Sequence, residues 1–304
     1  MTIRLHHIVL ASAALSLTGC FTGIESTPKI TAKDVVRQNV TVSAEAEFGR
    51  QLEAEPTAGW EAGRKFLVVD PKLSMLFERE PRLQANDIII YEGIDSRISI
   101  SGDSTSVITF AKDGQRLRFP VNTPLSRISA GAAVTIPMTV DMSVVENARA
   151  LLKGKSYYLL TPLRVNSDMT PIAGGRKYIK VTITDVAPGN GYQPLRIDFE
   201  DEEGVSGSVA MTLGGELGAT RNFDSLFSFT DPRLRHPSTT DSTWALITDS
   251  QVAPGMTTDE CRLAIGAPRD VRTGQNGSSF FEQWTYDNGA YCIFTDGLLT
   301  SFRL

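Results

Sequence analysis

Histidine is almost absent from this chain. Three occur in 304 residues, and two of them, His6 and His7, lie in the first ten positions. Histidine-rich zinc sites are excluded on that count, and catalysis through an imidazole would rest on His236 alone. Excess positive charge is also missing. A formal charge of −5 and a pI near 5.4 argue against a nucleic-acid partner, which normally meets a basic face. No segment beyond residue 20 is apolar enough to span a bilayer. The chain carries no phosphate-binding loop, dinucleotide fingerprint or zincin motif, and no nucleophile-elbow glycine pattern surrounds a serine. No cofactor, metal or catalytic residue is therefore expected. What is present is ordinary: 41% hydrophobic residues, 25 glycines and 15 prolines, a composition that suits a loop-rich β protein.

The N-terminus is more specific. In MTIRLHHIVLASAALSLTGC, Arg4 precedes a ten-residue apolar stretch, Ile8 to Leu17, with the dimensions of a secretory signal rather than a spanning helix. Leu17-Thr18-Gly19-Cys20 resembles the bacterial lipobox. The resemblance implies a signal peptide over 1–19, cleavage before Cys20, and acylation of that cysteine. Several acyl chains on one residue exceed what stable anchoring needs. Phe21, in place of the aspartate that retains enterobacterial lipoproteins at the inner membrane, points by the same analogy to the outer membrane. No acidic cluster follows Cys20, which favours the periplasmic side. Residues 20–47 then read as a lipidated tether, and about twenty flexible residues would reach roughly 25 Å.

The middle of the chain repeats itself weakly. Gly63-Arg64-Lys65-Phe66-Leu67-Val68-Val69-Asp70-Pro71 aligns with Gly154-Lys155-Ser156-Tyr157-Tyr158-Leu159-Leu160-Thr161-Pro162. At the same offset Ile88 to Tyr91 meets Ile179 to Thr182, and Ile108 to Gly114 resembles Ile197 to Gly204 with one residue inserted. A helix candidate precedes each copy, and Asp141 can cap the second. The expectation is mainly β: two tandem small β-barrel-like modules, the first over 48–120 and the second, with its helix, over 121–213. Asp113-Gly114 is a strong hairpin signal. Residues 214–250, with Asp231-Pro232 and His236-Pro237, read as a connector that packs its aromatics on a neighbour.

From 251 to 304 an α+β module is expected. Thr257 and Glu260 form a capping box, Cys261, Ala264 and Ile265 share one helical face, and Gly266 ends the helix. After a Gly/Asn/Ser loop at 274–279 come three strands, joined by Asn288-Gly289 and Asp296-Gly297: a helix plus a three-stranded antiparallel meander. Gly255-Met256-Thr257, Glu260, Gly266-Ala267-Pro268, Trp284-Thr285-Tyr286, the strand Tyr291 to Phe294 and Asp296-Gly297 resemble the pattern of BamE (SmpA/OmlA)-like outer-membrane lipoprotein domains. That resemblance covers about 50 of the 304 residues. It implies the fold of the module, and fold does not carry function across.

Cys261 and Cys292 are the remaining cysteines, and they admit two readings. In an oxidising compartment they form a candidate disulfide; otherwise they are two buried thiols. The acidic run Asp198, Glu200, Asp201, Glu202, Glu203 lacks a calcium-loop pattern and reads as a solvated hairpin tip. His236, Ser238 and Asp241 have the residue types of a nucleophile set without its context. Trp60, Trp244 and Trp284 could form a glycan platform, although burial is the commoner fate of such rings. The functional expectation is a non-catalytic, lipid-anchored envelope protein that binds or scaffolds protein partners at the periplasmic face of the outer membrane. The alternative is binding of peptidoglycan or another glycan through exposed aromatics of the β modules.

Overall fold

Apolar residues at every second position make most of this molecule. In Gln115–Val121, Leu117, Phe119 and Val121 are buried while Arg116, Arg118 and Pro120 face out; in Leu195–Asp201, Leu195, Ile197 and Phe199 are buried between partly exposed Arg196 and Asp198. The computed structural model describes residues 42–98, 102–214 and 221–304, all within one unit, Val42–Leu304. Strand outweighs helix, as expected.

A short helix α1 (Ala44–Arg50) leads to β1 (Lys65–Val68), β2 (Ile88–Ile98), β3 (Ser104–Lys112), β4 (Gln115–Val121), helix α2 (Leu125–Ser129) and β5 (Thr139–Asp141). Helix α3 (Met142–Leu152) follows, then β6 (Ser156–Leu159), a small hairpin of β7 (Arg164–Val165) and β8 (Pro171–Ile172), β9 (Ile179–Pro188), β10 (Leu195–Asp201), β11 (Ser206–Met211), α4 (Phe223–Leu226) and β12 (Phe227–Ser228). The two five-stranded sheets have the same order by rank. The first runs β4-β3-β2-β1-β5 and the second β11-β10-β9-β6-β12, antiparallel throughout.

Their irregularities coincide as well. Tyr91 faces Phe110 and Gly93 faces Thr109, so Glu92 is an extra residue; Ile183 faces Phe199 and Asp185 faces Asp198, so Thr184 is one too. Gly63, at φ +99°, donates its N–H to Tyr91 O, and Gly154, at φ +77°, donates to Ile183 O, both at 2.8 Å. These pairings correct the alignment of the third strand in each order. Ile89 and Tyr91 match Val181 and Ile183, one residue beyond the constant offset, because the alternation of buried side chains sets the register.

Several expected boundaries shift. β5 hydrogen-bonds to β1, so the first sheet takes a strand from 121–213; β12, from the supposed connector, completes the second. No pairing joins β4 to β5 or β11 to β12 among the described residues, so each sheet is open rather than a hydrogen-bonded barrel. Phe48 of α1 and Leu52 just beyond it pack not on the sheet that follows but into the core of the second, with the Phe48 ring 4.8 Å from Phe223. That core also takes Val144, Val145, Ala148 and Leu152 from α3, whose N-cap is Asp141 as expected. Asp141 does more than cap the helix. It also pairs at 2.7 Å with Arg64, a side chain only 7% exposed that meets Glu55 as well.

The rest of the connector contains helix α5 (Asp241–Thr248), which sequence reading missed although Thr240 caps it and Trp244, Ile247 and Thr248 form a buried helical face. Helix α6 (Thr258–Ile265) has the expected capping box, with Thr257 N–H donating to Glu260 Oε2 at 2.9 Å, and Gly266 at φ +87° ends it. The final sheet has four strands, not three: β13 (Asp270–Asn276), β14 (Ser279–Thr285), β15 (Tyr291–Thr295) and β16 (Leu298–Arg303), in that order. The expected Gly/Asn/Ser loop is the tip of its first hairpin. β13 was illegible because Arg272, Gly274 and Gln275 mask its alternation. Gly274 instead accommodates the Phe281 ring, which a Cβ there would meet at 2.3 Å. Asp296 and Gly297 both have positive φ, the two-residue turn expected. At Asn288-Gly289 only the glycine does, within a longer loop closed by Tyr286 N–H to Ala290 O.

Candidate functional site

Cys20 and the leader lie outside the described residues. Cys261 on α6 and Cys292 on β15 are both free thiols in the structure, fully buried in one core cluster with Met256, Trp284, Phe294 and Leu299. As thiols they are small apolar groups in the same cluster as the Trp284–Phe294 ring pair. Burial, with added repulsion from Cys292 and Glu260, pushes the Cys261 thiol up to about 12; burial raises Cys292 too. Neither supplies a thiolate at neutral pH.

Of the acidic run, Glu200 is exposed and the other four carboxylates make local contacts. Asp198 pairs with Arg196 at 2.9 Å and accepts the Ser208 hydroxyl at 2.6 Å. Asp201 accepts the backbone N–H groups of Glu203 and Val205, Glu202 meets Lys180 and Glu203 meets Arg176. Among the described residues, no group of three or more potential ligands is placed to hold a metal ion. His236 stacks on Trp244 at 6.2 Å, and the Asp241 carboxylate is taken by Arg233, so the supposed nucleophile set is engaged elsewhere. All three tryptophans serve packing. Trp284 and Trp244 are buried, and half-buried Trp60 lies against Phe66, Tyr91 and the Arg64 guanidinium.

What sequence reading missed is a pair of adjoining cavities at one end of the second sheet, sharing Arg176, Ile179 and Asp201. The first, about 350 Å³, lies between that sheet and α5, against Tyr158, Tyr178 and Trp244. Its aromatic faces are already used: Trp244 touches Tyr178, His236 and Arg233. Its cations Arg176, Lys180 and Arg233 are each ion-paired. The second cavity, about 300 Å³, opens under the β7–β8 hairpin and is lined by Arg164, Phe199, Ile172, Val205 and the backbone of Gly174 to Gly175 and Ser206 to Ser208. Arg164 stands over the Phe199 ring, 5.1 Å from its centroid, and donates to the carbonyls of Thr161, Leu163 and Arg176. Among the described residues no carboxylate lies within ion-pairing distance of it. Burial brings its guanidinium down to about 10, against the opposing influence of Asp201.

Beside these cavities Lys177 is 7% exposed and donates to Ala264 O at 2.6 Å, near the C-terminal end of α6. It thereby ties the second sheet to the C-terminal module, and burial lowers its ammonium to about 8.

The C-terminal sheet buries Trp284, Cys292, Phe294 and Leu299 on one face, with α6 supplying Cys261 and Ala264 to the same cluster. By register its other face carries Phe281, Tyr291, Ile293 and Leu298. Phe281 and Leu298 are 39% and 47% exposed. No protein-family model, curated protein or solved structure matches this chain.

Proposed function

We infer that this is a lipid-anchored protein of the bacterial envelope, held at the periplasmic face of the outer membrane through Cys20, where it binds and scaffolds protein partners without catalysing a reaction. In this reading the two five-stranded sheets are tandem copies of one small module on a tether, and the last 54 residues are a BamE-like docking module. The observation that carries the reading is the uncovered face of the C-terminal sheet. Phe281 and Leu298, on either side of Thr295 and with Ile293 and Tyr291 further along the same face, form a partly apolar surface of the kind that protein partners cover. A binding role is also supported by the engagement of His236 against Trp244, of Asp241 by Arg233 and of the two thiols in the core. Peptidoglycan binding through exposed aromatics of the β modules has less support: Tyr192 is 92% exposed, but Trp60 is half-buried and Trp244 and Trp284 are buried.

The test has two arms. A photo-crosslinkable residue at 298 should capture one specific envelope protein in intact cells, and Phe281→Asp should abolish that capture; a chain that captures nothing overturns the scaffold reading. Cys20→Ala should end incorporation of labelled fatty acid, and unchanged acylation refutes the anchor.

A further inference from the structure

The two sheets offer an internal control, because both bury their central phenylalanine but surround it with different groups. In the first, Phe110 is fully buried, 5.6 Å from Phe66 and 6.3 Å from both Phe77 and Tyr91, and faces Leu117 across the strand pair. In the second, the corresponding Phe199 faces Gly207, and its ring lies down across that glycine, where a Cβ would stand 2.7 Å from Cζ. Beside that ring stand Arg164 and an opening of about 300 Å³. A core that needed only to be stable would have been filled, as its counterpart is.

We propose that this opening binds a short acyl carboxylate, its chain lying among Phe199, Ile172, Ile179 and Val205 and its carboxylate on Arg164. Three observations select that chemistry. The side chains walling the opening are mainly apolar, and Ile172 and Val205 continue the apolar surface outward at 47% and 58% exposure. The single cation in contact with Phe199 is a guanidinium, whose planar fork suits a carboxylate, and its Nε has no hydrogen-bond partner among the described residues. Asp201 lines the same wall, so a monoanion is favoured over a doubly charged phosphate monoester. A volume near 300 Å³ is at the lower end of ligand pockets, which sets a short chain.

The test is calorimetric titration of the full-length chain carrying Cys20→Ala with octanoate, octanol, octyl phosphate and N-acetyl-leucyl-leucine. Octanoate is expected to saturate one site and to bind about tenfold or more tightly than octanol. Arg164→Gln should reduce octanoate to the affinity of octanol and leave octanol unchanged. Because Arg164 also braces three backbone carbonyls, Val205→Asp at the exposed rim is the second variant; it should weaken octanoate by about tenfold with unfolding unchanged. Equal binding of octanoate and octanol, no saturable binding of either, or full octanoate affinity in Val205→Asp would reduce Arg164 to a loop brace and overturn the proposal. Tighter binding of octyl phosphate overturns the monoanion assignment, and tighter binding of the dipeptide replaces the acyl ligand by a peptide C-terminus.

Discussion

The first sheet and the second share strand order, bulge position and the glycine contact that starts each copy, yet they fill their interiors differently. In the first, Trp60, Phe66, Phe77, Tyr91, Phe110 and Phe119 form a connected set of ring contacts. In the second, the rings Tyr157, Phe223, Phe227 and Phe229 gather with Phe48 of α1, while Phe199 lies against Gly207 and Arg164. Backbone hydrogen bonding specifies the sheet and tolerates either filling. Stability and binding then become separable properties of the same scaffold.

The comparison can be broken most directly at the paired phenylalanines. Phe110→Ala should cost about 4 kcal/mol in urea unfolding and Phe199→Ala about 2, since the latter ring borders an existing opening. Equal losses would mean that the two cores are packed alike. At the joint between the sheets, Asp141→Ala should cost about 3 kcal/mol, because it removes both the α3 cap and the main partner of a buried guanidinium; a loss no larger than a cap alone would show that Glu55 suffices. On the second sheet's side, Lys177 has a folded-state value depressed to about 8 from 10.5. The unfolded chain therefore holds that proton over a window in which the folded one does not. Stability should rise as pH increases from about 8 to 10.5, by on the order of 2 to 3 kcal/mol, and Lys177→Met should lose that rise. Thermal unfolding of both proteins across the window checks it.

Writing the first sheet's residue into the second is a sharper test. Gly207→Leu should cost about 1 to 2 kcal/mol, because the Phe199 ring must move, and it should close the cavity to octanoate. The smallest effect is expected just beyond the bulges, where Gly93 stands in one sheet and Asp185 in the other. Asp185→Gly removes ion pairs to Arg149 and Lys153 that are about 40% to 56% exposed, so about 0.5 kcal/mol should be lost at low salt and less at high salt.

Legibility in the sequence followed locality. The α6 capping box, the Asp141 cap and the Asp113-Gly114 and Asp296-Gly297 turns are written in neighbouring residues, and each formed as read. The matching glycine contacts of Gly63 and Gly154 lie at aligned positions of the sequence, but the alignment was off by one in β9 because a four-residue match weighs identity rather than burial. β13 and α5 were missed for a shared reason: glycine and polar residues blur the one, and the other sits among proline-marked turns. The cavity was invisible. Its defining feature is an absence, the missing side chain at Gly207, and its cation comes from a hairpin more than 40 residues earlier in the chain.

By itself, then, the sequence determined that the chain is mainly strand, where the Asp113-Gly114 and Asp296-Gly297 turns fall and how α3 and α6 begin. These depend on alternation, backbone conformation and capping within a few residues. Tertiary structure alone decided that α1 serves the second core, that β5 and β12 complete the two sheets, that Cys261 and Cys292 share one buried cluster, and that Arg164 lies over Phe199 beside an opening. Those outcomes depend on which distant surfaces exclude water together. That free energy belongs to the packed arrangement and to no local run of residues.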